Sequence, residues 1–357
     1  MLKFALVGCG RIAKKHAGNL GEGKIDHAKL VAVCDIKPER AKEYGEKYQV
    51  PWYTNMHAMM EEQQNNIDVV SILTPSGDHA NHCVELSRYG KHIIVEKPMA
   101  LTLADADRMI RACDAQGVRL FIVKQNRYNL PVTQLRRALE AGQFGKLVLG
   151  TVRVRWCRDQ AYYDLDPWRG TWQHDGGVLA NQAIHHIDLL TWMMGDVESV
   201  VAKANTALVN IETEDTAVVL LKFTNGALGI IEATNATRPK DLEGSLSILG
   251  ENGVVEIGGF AVNSMKVWNF KPGTAEAELN INDFSQNPPD VYGFGHTEYL
   301  KNVVDSILNK KAALVDGLEG RKSLELVSAI YESIETGKEV SVRFSPRKCR
   351  LGLRPIL

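Results

Sequence analysis

The chain is 357 residues long and carries 42 basic and 43 acidic side chains, a formal charge of −1 at neutral pH. That length exceeds one ordinary core and points to two domains, while the balanced charge excludes the basic excess of a nucleic-acid or membrane-surface binder. Six dispersed cysteines, at 9, 34, 83, 113, 157 and 349, form no Cys-x-x-Cys pair and read as reduced thiols of a cytoplasmic protein; the short apolar start has neither the length of a membrane span nor a secretory cleavage site.

The first thirteen residues read as a buried strand running into Gly8-Cys9-Gly10-Arg11-Ile12-Ala13, a glycine turn that opens a helix. Gly8 lets the chain turn sharply, Gly10 lets the backbone approach a pyrophosphate, and the helix N-terminus offers it positive charge; Ala13 stands where a third glycine is usual. Such a pattern alone is weak. A second apolar run, Leu30 to Cys34, ends in Asp35, an acid placed to accept from both ribose hydroxyls of NAD and to repel the extra phosphate of NADP. The expected cofactor is therefore NAD, on Gly8, Gly10, Arg11, Ile12 and Asp35; a solvated turn residue is the bland alternative for Asp35.

Apolar runs at Asp68 to Leu73, His92 to Val95 and Leu120 to Val123 alternate with helical stretches, one beginning at Thr102 with Asp105 as an acidic capping-box partner. This alternation predicts an α/β fold: a doubly wound parallel Rossmann sheet over residues 1–125. Parallel sheets bind ligands beyond the carboxyl ends of their strands. The residues following those runs, Thr74, Pro75, Ser76, His79, Glu96, Lys97 and Gln125, are therefore expected at the cofactor. After residue 125 the grammar changes to long alternating runs at 147–158, 197–208, 215–236 and 245–257, predicting a C-terminal α+β domain, 126–345, with a large open, mainly antiparallel sheet. Asn225-Gly226 predicts a two-residue hairpin with positive φ at both positions, and Glu251-Asn252-Gly253 a second turn. Helices are expected near 296–309 and 317–336, then a strand from Val340 to Phe344. A basic tail, 346–357, carries Arg347, Lys348, Arg350 and Arg354. In the first long run Arg153 and Arg155 alternate with Val152, Val154 and Trp156, predicting one basic and one apolar sheet face.

Lys97 follows a strand in Glu96-Lys97-Pro98, where a lysine beside a nicotinamide can stabilise an alkoxide or exchange a proton with a hydroxyl. The segment from Gly176-Gly177 to Asp188 predicts a helix. At about 100° per residue, Asn181, His185 and Asp188 share one face and His186 points away. Histidine is the side chain best poised to take a proton near neutrality. Zinc on the paired histidines is set aside, because adjacent helical positions diverge and no third ligand is evident. Trp168 and Arg169, in a Gly- and Asp-containing loop, are expected to cover the nicotinamide or a sugar ring.

Together, the glycine turn, Glu96-Lys97-Pro98 and the helix with His185-His186-Ile187-Asp188 resemble the glucose-fructose oxidoreductase and inositol dehydrogenase (Gfo/Idh/MocA) family over nearly the whole chain. Within it the chain is similar to bacterial UDP-N-acetyl-2-amino-2-deoxyglucuronate dehydrogenases. The strings that carry this are Val123-Lys124-Gln125-Asn126-Arg127, Tyr162-Tyr163 through Trp172, Asn181-Gln182-Ala183, Asn210-Ile211-Glu212 through Asp215, Leu242-Glu243-Gly244-Ser245 and Val291-Tyr292-Gly293-Phe294-Gly295-His296. The resemblance implies NAD-dependent oxidation of the 3-hydroxyl of a UDP-linked N-acetylated sugar for surface polysaccharide (O-antigen, lipopolysaccharide). It implies Lys97 and His185 as the catalytic pair, Tyr163 and Asn181 as sugar contacts, no metal, and a homotetramer built through the second-domain sheet. Many members carry aspartate where Asn181 stands, so loss of Lys97 is expected to cost more turnover than loss of His185. Another sugar or inositol dehydrogenase, or a glycosidase working by transient 3-oxidation, is the alternative activity.

Overall fold

The computed structural model describes residues 1–274, 279–285, 288, 293–343 and 349–352. The chain forms two compact units. One comprises Met1–Val123 with His296–Arg321; the other comprises Lys124–Gly295 and the described residues from Lys322 onward. Residues 296–321 thus group with the first unit, away from the sequence that surrounds them.

In the first unit the strands β1 (Leu2–Val7), β2 (Ala28–Cys34), β3 (Trp52–Tyr53), β4 (Val69–Ile72), β5 (His92–Val95) and β6 (Leu120–Ile122) make one sheet in the order β3-β2-β1-β4-β5-β6. Every pairing is parallel. Continuous apolar strands such as Val69–Ile72, buried along their whole length, are what a parallel sheet with both faces covered requires. The helices α1 (Ala13–Gly21), α2 (Pro38–Tyr48), α3 (Met56–Glu62), α4 (His79–Ser87) and α5 (Leu103–Ala115) connect them. In α5 the expected cap is present in half: Thr102 Oγ1 accepts from the Asp105 N–H at 3.1 Å, while the Asp105 carboxylate returns to the Thr102 hydroxyl rather than to a backbone amide. The register aligns the strand ends. Val7 pairs with Cys34 and Ile72, Ile72 with Val95, and Val95 with Ile122. Gly8, Asp35, Leu73 and Glu96 therefore lie side by side along one edge, and strand order reverses at β1, where open parallel sheets bind ligands.

The second unit begins with α6 (Leu130–Glu140), then β7 (Leu147–Arg155), α7 (Gln160–Tyr163) and α8 (Ile184–Met194), followed by β8 (Val197–Asn205), β9 (Thr216–Phe223), β10 (Leu228–Thr234), β11 (Glu243–Gly250), β12 (Gly253–Gly258) and β13 (Ser264–Phe270). The helices α9 (Gly295–Leu308) and α10 (Gly317–Thr336) and the short β14 (Val340–Ser341) complete the chain. The sheet runs β13-β12-β11-β7-β10-β9-β8-β14 and is mixed: β7 and β10 are parallel, the other pairings antiparallel. One face packs α8 on β7 and β11, with Val152, Val154, Val219 and Leu246 buried.

Two expectations change here. The hairpin between β9 and β10 has a three-residue loop, since Phe223 pairs with Ala227 and only Gly226, at φ +87°, is left-handed. The Asn225 carbonyl oxygen of the side chain instead accepts from the Ala227 N–H. The other sheet face is not basic: Arg155 forks onto Glu232 and reaches Glu243 at 3.3 Å, and Arg153 lies 3.7 Å from Glu243 and 3.9 Å from Glu256. Phe344, Val291, Tyr292 and the tail residues Arg347, Lys348 and Arg354 lie outside the described residues. All six cysteines are free, four of them buried. Among the described residues no helix is long and apolar enough to cross a membrane.

Candidate active site

In the first unit the site is backbone shaped by sterics. Gly8 has φ +101°, and a Cβ there would lie 2.7 Å from the Leu73 carbonyl carbon and oxygen, so both conformation and space demand glycine. A Cβ on Gly10 would meet nothing within 4 Å; the space before it is open, as a bound pyrophosphate needs. The helix α1 starts without a side-chain cap and without an acidic residue in its first turn, so no carboxylate of that turn offsets the positive end of the helix. Arg11 is exposed and Ile12 half-buried at this turn. Asp35 ties the turn to β2: its Oδ2 accepts from the Cys9 N–H at 2.7 Å and its Oδ1 from the Lys37 N–H at 2.8 Å. Ile36 beside it is 86 % exposed, a bare apolar side chain that sequence reasoning passed over. These residues fit a dinucleotide.

Behind that edge stand buried polar groups. His79, the first residue of α4, reaches the Pro98 carbonyl at 2.8 Å and the Thr74 carbonyl at 2.9 Å, joining the Thr74-Pro75-Ser76 segment to the turn after β5. Burial pushes its pKa down against the pull of those carbonyls. Glu96 is buried with one oxygen 3.0 Å from His16 Nε2 and 3.3 Å from His296 Nε2, while its other oxygen accepts from the Lys97 N–H at 3.1 Å. Burial alone would raise the Glu96 pKa, but the two imidazoles hold it well below the usual carboxylate range. Lys97 itself is half-buried at a cis Lys97-Pro98 bond. Among the described residues His16, Glu96 and His296 are the only trio with ligand atoms close enough to share a metal ion; hydrogen bonds to one Glu96 oxygen already account for their placement.

In the second unit the groups are side chains held by buried charge. The helix α8 begins at Ile184, so Asn181 belongs to the preceding turn rather than to the helix. His185 Nε2 lies 3.1 Å from the Gln125 side-chain amide, so Gln125, expected at the cofactor, is a neighbour of His185 in this unit. One turn on, Asp188 receives Arg127 Nε at 2.7 Å and Nη2 at 2.8 Å, with Lys124 Nζ at 3.5 Å; all three side chains are 2 % exposed. Burial would raise the Asp188 pKa, but the two cations draw it down to about 2. The Arg127 guanidinium also lies 4.8 Å from the Trp192 ring centroid. His186 points elsewhere, edge-on to Trp156 at 5.9 Å, and burial lowers its pKa to about 4.

The turn before α8 hangs between two buried carboxylates that sequence reasoning missed. Asn181 donates its amide to Asp175, whose other oxygen accepts from the Gly170 N–H at 2.8 Å. Glu214 Oε1 accepts from the Leu179 N–H at 3.0 Å and the Tyr331 hydroxyl at 2.9 Å; burial raises its pKa to about 7. Asn235 donates to the Tyr163 hydroxyl and to Gln182 Oε1, each at 2.9 Å. Arg169 is stacked at 4.6 Å on Trp168 and at 4.7 Å on Tyr162, bonds the Tyr162 hydroxyl at 2.8 Å and pairs with Asp166. The sequence signal for part of this was the run Lys124-Gln125-Asn126-Arg127, polar and charged directly after an apolar strand yet almost wholly buried; nothing comparable marks Asp175, Glu214 or Asn235.

The chain as a whole is similar to known dehydrogenases. The chain is 44 % identical to the WlbA dehydrogenase from Chromobacterium violaceum, solved with NADH and UDP-GlcNAcA, over 96 % of each chain with a TM-score of 0.89. It is 41 % identical to WlbA from Bordetella pertussis, solved with the same two ligands, over 96 % of this chain and 99 % of that one, TM-score 0.86. A myo-inositol 2-dehydrogenase from Thermotoga maritima is 28 % identical over 355 residues, covering 96 % of this chain and 98 % of its own. Residues 2–124 match the NAD-binding Rossmann fold and residues 136–342 the C-terminal alpha/beta domain of one oxidoreductase family. The chain therefore belongs to the Gfo/Idh/MocA oxidoreductases, and it is an NAD-dependent dehydrogenase.

Proposed function

We propose that the protein oxidises the 3-hydroxyl of UDP-N-acetylglucosaminuronate to the 3-keto sugar nucleotide, a step toward surface polysaccharide. What carries the reading is the identity above 40 %, over 96 % of this chain, to two dehydrogenases solved with NADH and that sugar nucleotide. NAD, when bound, supplies the hydride acceptor. Gly8, Gly10, Arg11, Ile12 and Asp35 hold it, with Thr74, Pro75, Ser76, His79 and Glu96 forming or supporting the adjoining edge; the open space before Gly10 and the uncapped N-terminus of α1 support this. Lys97 and His185 handle the hydroxyl proton, with Tyr163 and Asn181 as sugar contacts and Gln125, Trp168 and Arg169 alongside. Asp188, one turn beyond His185, already carries Arg127 and Lys124, and Asn181 brings no charge of its own, so Lys97→Ala costs more turnover than His185→Ala, about 10²- to 10⁴-fold for a lost proton-transfer group.

A homotetramer in the cytoplasm completes the proposal. Its support is the second face of the eight-stranded sheet, where Val201, Val218, Leu220 and Leu228 are 39 %, 50 %, 56 % and 58 % exposed beside the Arg153 and Arg155 ion pairs. An apolar sheet surface of this kind is a subunit contact more often than a wet one.

The decisive experiment is the appearance of reduced nicotinamide after mixing the protein with NAD and UDP-N-acetylglucosaminuronate, UDP-N-acetylglucosamine or inositol, each with and without a keto acid and with direct assay of the 3-keto product. Product from the uronate nucleotide alone supports the proposal. Product from inositol, or release of a free sugar without net reduction, replaces it.

A further inference from the structure

Resting on that reading, we propose that Arg238 is the anchor for an anionic group of the sugar nucleotide, its carboxylate or its diphosphate. Three guanidinium groups gather around the loop that follows β7 and the one that follows β10. Arg158 lies 5.2 Å from the Trp156 ring and 5.4 Å from the Tyr162 ring and is neutralised by Asp241 at 2.9 Å. Arg169 is neutralised by Asp166. Arg238 differs. Among the described residues no carboxylate lies within ion-pair distance of it, yet it is held as firmly as the other two.

The hold comes from three carbonyl oxygens and from the Cys157 sulfur, 3.8 Å from Nη1. Arg238 Nη1 donates to the Asn235 and Thr237 carbonyls at 3.0 and 2.9 Å, and Nη2 to the Arg158 carbonyl at 3.3 Å. Carbonyls orient a guanidinium without cancelling its charge. The Nε–H and a hydrogen on Nη2 are left over, the edge through which arginine grips carboxylate or phosphate with two parallel bonds. A positive charge fixed in place and exposed to solvent binds an anion without further ordering cost.

The position is continuous with the proposed sugar contacts. The Asn235 whose carbonyl holds Arg238 is the Asn235 whose amide bonds Tyr163 and Gln182, and Gln182 Nε2 reaches the Tyr162 hydroxyl at 3.5 Å. Gln182 follows Asn181 directly and stands three residues before His185.

Calorimetric titration of the NAD-loaded protein with UDP-N-acetylglucosaminuronate, UDP-N-acetylglucosamine and UDP tests this, with the wild type beside Arg238→Ala and Arg238→Lys. A lost charge-assisted pair weakens binding by about 10- to 100-fold. If the loss in Arg238→Ala falls only on the uronate nucleotide, the carboxylate is the group held. If all three ligands weaken alike, it is the diphosphate. Arg238→Lys, which keeps the charge without the fork, recovers part of the loss. Wild-type affinity for all three ligands in Arg238→Ala, with NAD affinity unchanged, overturns the assignment while leaving the proposed function standing. A wild-type protein that binds none of the three overturns both.

Discussion

The two units hold their candidate residues by opposite means. In the first, the edge proposed for the cofactor is made of main chain: Gly8 turns because no Cβ fits, Gly10 fronts open space, and α1 opens without a side-chain cap. In the second, the candidate surface is made of side chains whose positions are set by charges taken out of water: Asp188 between Arg127 and Lys124, Asn181 on Asp175, the turn at Leu179 on Glu214. A surface made by sterics fails when atoms are added. A surface made by buried charge fails when one charge is removed, because its partners stay behind unpaired.

The largest effect is therefore expected at Asp188. Asp188→Asn keeps the shape but strands Arg127 and Lys124 in the core, and should cost about 3–5 kcal/mol in urea denaturation. If the loss were below about 1 kcal/mol, the charges would be reaching water by another route and the contrast between the units would fail. Next comes Gly8→Ala. Its Cβ would press on the Leu73 backbone at a φ that alanine avoids, at a cost of about 2–3 kcal/mol. NAD affinity, measured by titration, should fall further than stability alone explains, because the displaced turn is the surface proposed to hold the cofactor.

The same contrast decides what the sequence could show. Gly8, Gly10, Ala13 and Asp35 sit within two consecutive strand ends, so a local pattern reveals them, and a parallel sheet follows from apolar runs alternating with helices, whereas the two-residue β3 has no such run to mark it. The second unit resisted. Asp175, Glu214 and Asn235 meet the segment 179–182 from 6 to 53 residues away, and a lone acid in a polar stretch looks the same whether it ends up solvated or buried. The starting point of α8 was misplaced for a related reason: Asn181 and His185 are four apart, but the intervening turn is set by Glu214 and Asp175 rather than by helical periodicity. The Arg153 and Arg155 face looked basic because their partners Glu232, Glu243 and Glu256 come from three other strands.

Glu214 gives the second unit a pH signature that the first lacks at its glycine turn. Its carboxyl has a pKa of about 7 in the folded chain against an ordinary 4.5. A raised carboxyl stabilises the fold fully below the ordinary value, and that stability is lost as pH climbs through about 7. The loss amounts to about 3 kcal/mol at most by pH 8. Glu214→Gln, a neutral side chain of the same shape, should flatten the dependence of the urea midpoint between pH 5 and 8. A mutant profile as steep as the wild type would place the titrating group elsewhere.

The smallest effect serves as the control for Gly8. Thr102→Ala removes the hydroxyl that accepts from the Asp105 amide at the start of α5, and an N-cap of this kind is worth about 1 kcal/mol. It weakens the same unit without touching the glycine turn, Asp35 or the Glu96 cluster. NAD affinity should stay at the wild-type value while the denaturation midpoint moves down. If Thr102→Ala loosened NAD as Gly8→Ala does, cofactor binding would be following the global stability of the unit, and the main-chain surface at Gly8 would have no separate part in it.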